Sequence, residues 1–564
     1  LILYLMHLIE RDPSSPYQRP IISDAKGYYA YLPALIIYQD FEYEFLAEMD
    51  EKYYKVGQDK HIFIEQNGRR VNKTFPGVAL LYLPFFLIAH FLASLLDLPA
   101  DGYSDIYQYL FDFGQFFYAT LGLLLMGNVF KLLGFTKKSI ILSIVLVALG
   151  TNLWYYIVYD QSVTHVYNFF LINALVFYAL RLKVKADLLG LSMTAGILSL
   201  LIIIRPTGVL SLLIVLFFIP EKRFYINLFS RLKSPKVLLP ILMLVGGILS
   251  LPLLLWKVQS GNWLVYSYGE EGFDFSNPHL MEFLFSYAKG WWLYSPLVLV
   301  VIFYGILLLL KTEMGKLKVA ILILFLMVTV YIFSSWWCWW YGFSFGQRPM
   351  VDFYILIGYL MAVIIQRVNA SKTKQIILGT IALLLVFLNL LQSYQHHHGF
   401  FQWSQPNSEI YWDNFLRIKK QAKIYLEEDW NLLESETFEF DDATGCVKCQ
   451  GIIFTDVNKP FSESVVVVSP IMKESDFVVI SFNAIAHSDL SNTDLVVEYK
   501  GDQSSYRNYN FNEYVSINQS SFIQLRYDAE SSKKDSLVVY FWNKDSDQII
   551  LVDFMKFDFY RSKN

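Results

Sequence analysis

The chain has little charge for its length. Of 564 residues only 17% are Asp, Glu, Lys or Arg, against 55% hydrophobic and 17% aromatic, a balance that excludes an ordinary soluble enzyme. Acids and bases nearly cancel, giving a formal net charge of -4. With no basic stripe, nucleic acid is not an expected partner. Cysteine is scarce, three residues in all. Cys446 and Cys449, in GCVKC, read as a local disulfide or two free thiols, since a zinc site needs two further ligands that the neighbourhood does not offer.

What the chain does have is uncharged apolar runs. IILSIVLVALG (140–150), LLIVLFFIP (212–220) and IALLLVFLNLL (381–391) extend towards the roughly 20 residues a helix needs to cross the hydrocarbon core. The first two thirds therefore read as a polytopic α-helical membrane protein. After about residue 395 the pattern becomes short alternating segments, such as DFVVISFNAI and DSLVVYFWN, separated by Ser, Asn and Asp. These predict β-strands and turns in a second, water-soluble domain. The expected division is a membrane domain over 1–391 with its first external loop at 10–74, a juxtamembrane linker over 392–429, and an extracytoplasmic jelly-roll-like β-sandwich over 430–564. The sequence opens on Leu1, and only nine residues precede Glu10. We read them as the end of a first membrane helix whose front is missing, with a signal peptide as the alternative.

Positive connectors are expected in the cytoplasm: KLLGFTKK (131–138), RLKVK (181–185), EKRFYINLFSRLKSPK (221–236), KTEMGKLK (311–318) and RVNASKTK (367–374). Between them YDQSVTH (159–165), the stretch 259–289 and WWCWWYGFSFGQR (336–348) are rich in aromatics and belong outside. Eleven crossings result, near 1–9, 110–133, 139–158, 162–181, 188–204, 207–219, 237–257, 291–310, 318–335, 350–366 and 375–391. They place the N-terminus inside and the C-terminal domain outside. FPGVALLYLPFFLIAHFLASLLDL (75–98) does not fit this count: its ends are both extracytoplasmic, which predicts a re-entrant or surface helix broken at Pro84, unless the count itself is off.

Polar residues recur beside these apolar segments on the external side. The first loop carries Asp24 and Lys26 beside Tyr28, Tyr29 and Tyr31 in SDAKGYYAY. Further on come Lys73 in NKTFPG, Asp160 and His165 in YDQSVTH, Arg205 in IIRPTG, and Tyr341, Gln347 and Arg348 in WWYGFSFGQR. Ionisable groups at such depth invite a functional reading, although Asp24 in SDAKG also suits a turn or a helix cap. Cations at an apolar surface match a polyprenyl phosphate, whose oxygens bind Arg and Lys strongly where water is sparse.

The ordered set formed by the first-loop acid, KTFPGVALLYLP, GTNLWYYIVYDQSVTHVYNFFLINAL, IIRPTG and WWYGFSFGQRPMVDFY resembles the GT-C superfamily of membrane glycosyltransferases. The closest branch is the one containing protein O-mannosyltransferases and the lipid A aminoarabinose transferase. The resemblance covers residues 1 to about 391. It implies an active site facing outward, probed by a sugar donor linked to polyprenyl phosphate, and transfer to a glycan, lipid or protein hydroxyl. It also implies Asp24 as the catalytic residue, expected to act as a general base, and Lys73 and Arg348 as ligands of the donor phosphate; Arg205 is expected beside them, although RPTG equally suits a helix break whose arginine snorkels or pairs with an acid. Lys26, Tyr28, Tyr29, Asp160, His165, Tyr341 and Gln347 are then expected around the donor or acceptor, although the tyrosines equally suit an interfacial anchor. Ala25 stands where many family members carry a second acid, which argues against a metal held by an acidic pair, and no cofactor is expected. The implied location is a bacterial inner membrane with the site on the periplasmic side.

Other features carry blander readings. His396, His397 and His398 are neighbours in sequence, and such neighbours seldom share one metal, so HHHGFFQW reads as an interfacial hinge. WWCWW reads as an aromatic belt, and Trp542 as core or as a glycan-stacking residue. A polytopic transporter or flippase of lipid-linked sugars is the rival class, with Arg205 and Lys73 lining a path. No inverted repeat is visible, and the polar signals gather on one face.

Overall fold

The computed structural model describes residues 19–54, 62–269, 271–368, 371–401 and 408–418, and beyond them the strands of the C-terminal part. The chain divides near residue 397 into two compact units. Cys446 and Cys449, the segment 1–9 and part of the expected linker (402–407 and 419–429) lie outside the described residues.

The first unit opens with α1 (Asp24–Pro33), which runs on as a π-turn to Tyr38, followed by α2 (Phe45–Met49) and a hairpin of β1 (Phe63–Gln66) and β2 (Arg69–Asn72). The helical body then comprises α3 (Gly77–Leu95), α4 (Asp105–Leu132), α5 (Lys137–Leu149), α6 (Leu153–Val158), α7 (His165–Val184), α8 (Leu188–Ile204), α9 (Ser211–Phe218), α10 (Lys222–Leu232) and α11 (Pro235–Ser260). It continues with α12 (Leu280–Phe285), α13 (Trp291–Tyr294), α14 (Pro296–Leu309), α15 (Gly315–Ser334), α16 (Tyr354–Val368) and α17 (Lys372–His397). Among the described residues seven helices are long and apolar enough to cross a membrane, α16 being counted with the 3-10 turn from Arg348 that leads into it. The chain is thus an integral membrane protein of several spans.

The expected count of eleven is not what the helices give. The segments at 188–204, 206–218 and 296–309 are apolar but shorter, and the run expected as one crossing over 139–158 is interrupted. There α5 spans 13 residues and ends at Gly150, and α6 restarts after Asn152. The reason is the use made of the break: Asn152 Nδ2 donates to the carbonyls of Phe345 (3.1 Å) and Gln347 (3.3 Å). An uninterrupted helix would have pointed that amide elsewhere.

The second correction concerns 75–98. α3 is a continuous 19-residue helix that passes through Pro84 without breaking. Proline removes one backbone bond, but Tyr82, Phe85 and Phe86 lock both sides of it against Tyr29, Phe111 and Tyr118. Its two flanks both meet α1: the Tyr31 hydroxyl donates to Thr74 O at 2.6 Å, and the Tyr29 hydroxyl donates to Gly102 O. α4, 28 residues long, measures about 42 Å. That exceeds the roughly 30 Å hydrocarbon thickness, enough to span it with some tilt.

α10 lies in the most basic connector. It turns Phe224, Leu228 and Leu232 onto Leu182, Leu191 and Ile241. That is the one-sided apolar packing of an interfacial helix.

The second unit contains the short helix α18 (Ser408–Asn414) and antiparallel strands β3 (Trp430–Glu439), β4 (Ile452–Thr455), β5 (Val465–Val467), β6 (Phe477–Ala486), β7 (Thr493–Lys500), β8 (Ser505–Asn510), β9 (Ser521–Asp528), β10 (Ser536–Asn543) and β11 (Gln548–Ser562). One sheet runs β5-β10-β7-β8. The other runs β3-β11-β6-β9, with β4 also on β11. β6 begins with the near-continuous apolar run FVVISF, and 477–482 is buried throughout, the pattern of a strand covered on both faces. Trp542 pairs in register with Asp494.

Candidate functional site

Two glycines bring the polar motifs together. A Cβ at Gly27 would stand 2.7 Å from Thr74 Cγ2, so α1 can lie on the segment that carries Lys73 only because that position is bare. A Cβ at Gly77 would stand 2.5 Å from Ile204 Cγ1 and 2.8 Å from the Ile203 carbonyl, so FPG sits directly on the end of α8 beside Arg205. KTFPG and IIRPTG therefore meet although more than a hundred residues separate them.

Asp24 opens α1, where the helix dipole favours a carboxylate. Its Oδ2 accepts from Arg348 Nη2 at 3.1 Å, across 324 residues of sequence. The Asp24 side chain is 33% exposed and that of Arg348 is 16% exposed, so the pair faces an opening. The backbone is held in an uncommon form on both sides of it, with Ser23 at φ 48° and Tyr341 at φ 56°. Non-glycine residues rarely adopt such values, and they concentrate at functional sites.

Around this pair the other cations assemble. Arg205 lies within electrostatic range of Tyr28, Tyr268, Tyr341 and Asp352. The Arg348 guanidinium stands 5.7 Å from the centre of the Tyr341 ring. Lys73 Nζ pairs with Glu271 at 2.5 Å and lies 5.9 Å from the Tyr268 ring centre. Asp160 accepts from the Ser162 hydroxyl (2.6 Å) and amide (3.0 Å). Loss of hydration pushes its carboxyl above the ordinary range, against those bonds and the attraction of Arg348.

Behind Arg205 is an interior network. His165 Nδ1 lies 2.6 Å from Asp352 Oδ1, and Asn168 Nδ2 donates to Asp352 Oδ2 at 2.7 Å. All three residues are buried. His165 Nε2 and both side-chain polar atoms of Gln347 have no hydrogen-bond partner. Unpaired buried groups of this kind are costly, and they are the atoms a bound polar ligand or water would satisfy.

The structure thus brings together Asp24, Arg348, Arg205, Lys73, Tyr28, Tyr341 and Asp160, with His165 and Gln347 just behind. It does not bring Lys26 or Tyr29 there. Lys26 pairs with Asp50 at 2.7 Å, buried on the other side of α1 and over the Tyr54 ring. Tyr29 sits within an aromatic cluster of Tyr82, Phe86, Tyr103 and Phe111. Residues that sequence reasoning missed are Asp352, Asn168, Tyr268, Glu271 and Lys289. The signal for Asp352 was present: it follows Arg348 by one helical turn in RPMVDFY.

No protein-family model matches the chain, and no curated protein matches it. Among solved structures, it is similar to arabinosyltransferase EmbB from Mycobacterium smegmatis, with 11% identity and a TM-score of 0.29, over 81% of this chain and 58% of that one. The chain therefore spans little more than half the length of that protein.

Proposed function

We propose that the chain is a membrane glycosyltransferase of the GT-C kind, moving a sugar from a polyprenyl-phosphate donor to an acceptor hydroxyl at the extracytoplasmic face. The observation that carries this reading is the Asp24–Arg348 pair: a part-exposed carboxylate held beside a guanidinium, with Arg205 and Lys73 in the same neighbourhood. The carboxylate suits a general base and the cations suit a phosphate.

In the proposed reaction the acceptor oxygen attacks the anomeric carbon while Asp24 takes its proton. The bond from that carbon to the phosphate oxygen breaks, and its electron pair leaves with the polyprenyl phosphate. Arg348, Arg205 and Lys73 meet the charge that grows on the phosphate, where fixed cations in a water-poor site are most effective. A single displacement inverts the anomeric centre, through a state of oxocarbenium character.

The test is transfer of radiolabelled sugar from several polyprenyl-phosphate donors by the chain in nanodiscs, with membrane extract as acceptor. Label appearing on an acceptor or slowly released to water supports the reading. Donor sugar that crosses a sealed vesicle unchanged, with no transfer, supports the flippase instead.

A further inference from the structure

Lys289 is the lone cation of SYAKGWW and is 1% exposed. Among the described residues no carboxylate pairs with it. Its Nζ lies 3.3 Å from His396 Nε2, and His396 Nδ1 lies 3.1 Å from the Tyr155 hydroxyl. His396 also packs its ring on Phe345. Phe345 is fixed in turn by Tyr156, whose hydroxyl oxygen accepts from the Phe345 amide at 2.8 Å, and by Asn152 on its carbonyl. Lys289 and His396 therefore stand behind the turn 344–348, whose far end presents Arg348 to Asp24.

The charged and titratable groups around Lys289 come from each element packed there. They are His396 and His397 on α17, Arg348 and Cys338 on the loop after α15, Tyr155 and Tyr159 from α6 with Asp160 just beyond, and Tyr287 on its own turn. Of these Arg348 is the fixed charge that Lys289 feels most.

We propose that Lys289 is a positioning residue for Arg348: seated on His396 behind the turn 344–348, its charge makes the guanidinium a stronger binder of the donor's phosphate. Two buried cations repel each other, and an anion placed at one of them relieves that repulsion. Burial, with the Arg348 charge added, draws the ammonium down from its ordinary range to about 7. Lys289 consequently gains its charge as pH falls through neutrality, and phosphate binding tightens in that direction. By reciprocity the bound anion raises the proton affinity of Lys289, so binding takes up protons.

This inference rests on the phosphate reading of the site, and the experiment separates the two. The probe is a polyprenyl methyl phosphate, a diester whose single charge is constant through neutrality, with polyprenol as the uncharged control. Its affinity for the chain in nanodiscs is measured between about pH 6 and about pH 9, for the parent, Lys289→Met and Asp24→Asn. The parent and Asp24→Asn are expected to bind about fivefold more tightly at the acid end, a coupling of ordinary size, and calorimetry in two buffers should show proton uptake. Lys289→Met should lose both effects. It removes a buried charge while nearly keeping the side-chain length, so folding is preserved.

A merely structural lysine would leave the pH dependence in place. A pH slope retained in Lys289→Met, or absent from a parent that prefers the phosphate to polyprenol, overturns the positioning role and leaves the phosphate site standing. A parent that does not prefer the phosphate at any pH overturns both.

Discussion

Two ion pairs two residues apart on α1 are built in opposite ways. Asp24 meets Arg348 with both side chains partly open to solvent, 33% and 16% exposed. Lys26 meets Asp50 with both closed off, 5% and 8% exposed, beneath the Tyr54 ring. A closed pair fixes one segment against another. An open pair surrounded by further cations leaves charge available to something that is not part of the chain. The helix turns by about 200° between the two positions, so one short segment can be an anchor on one side and a site on the other.

The largest effect should come from the open pair. Asp24→Asn is expected to lower transfer by about a thousandfold, the scale of a lost general base, with the thermal unfolding midpoint in detergent unchanged. The closed pair should respond in reverse. Lys26→Met takes the Lys26 charge away from the buried Asp50 and should cost about 3–5 kcal/mol of stability, with transfer per folded molecule unaltered. Adding Asp50→Leu should recover most of that loss, because an apolar pair can replace a buried ionic one. If Lys26→Met removed transfer from a chain that still folded, the contrast between the two faces of α1 would be broken.

A smaller change sharpens the open side. Lys73 is engaged by Glu271 in this structure, and a donor phosphate has to compete with that carboxylate. Glu271→Gln is expected to lower the donor KM by about two- to fivefold, the worth of one partly exposed ion pair, with kcat little changed. The effect should vanish when Lys73 is already Met.

A separate effect is on stability against pH. Lys289 has its proton affinity lowered in the fold, from 10.5 to about 7, so between those values the unfolded chain holds more protons than the folded one. Stability therefore rises with pH from about 7 to about 10.5 and is flat below about 7 on this account. Unfolding midpoints of Lys289→Met should lack that slope.

Much of the membrane part was legible because its signal is local. Apolar runs and the spacing of Lys and Arg reveal helices wherever they occur, and α11, α15 and α17 fall where the sequence puts them. The helix breaks were not legible in the same way. Gly150 and Asn152 read as one more stretch of an apolar run, and only the carbonyls of Phe345 and Gln347, far along the chain, explain why the helix stops there.

The candidate site shows the same division. Asp24, Lys73, Arg205 and Arg348 stand out because a charge beside an apolar segment is conspicuous by itself. Lys26 is equally conspicuous and was grouped with them, since nothing near it in sequence reveals that Asp50 folds back beneath it. Glu271 and Lys289 do not stand out, because both lie in a long aromatic connector of mixed charge and the partner of each is a residue more than a hundred positions away.

The most direct measurement is a paired one on purified chain in nanodiscs: the affinity for a polyprenyl-phosphate sugar and the rate of sugar transfer from it, for the parent and for Asp24→Asn. The expected result is donor affinity within a few-fold of the parent together with loss of transfer, which separates a base from a binding group. Transfer by Asp24→Asn at close to the parent rate would contradict the central role given to the carboxylate that Arg348 holds.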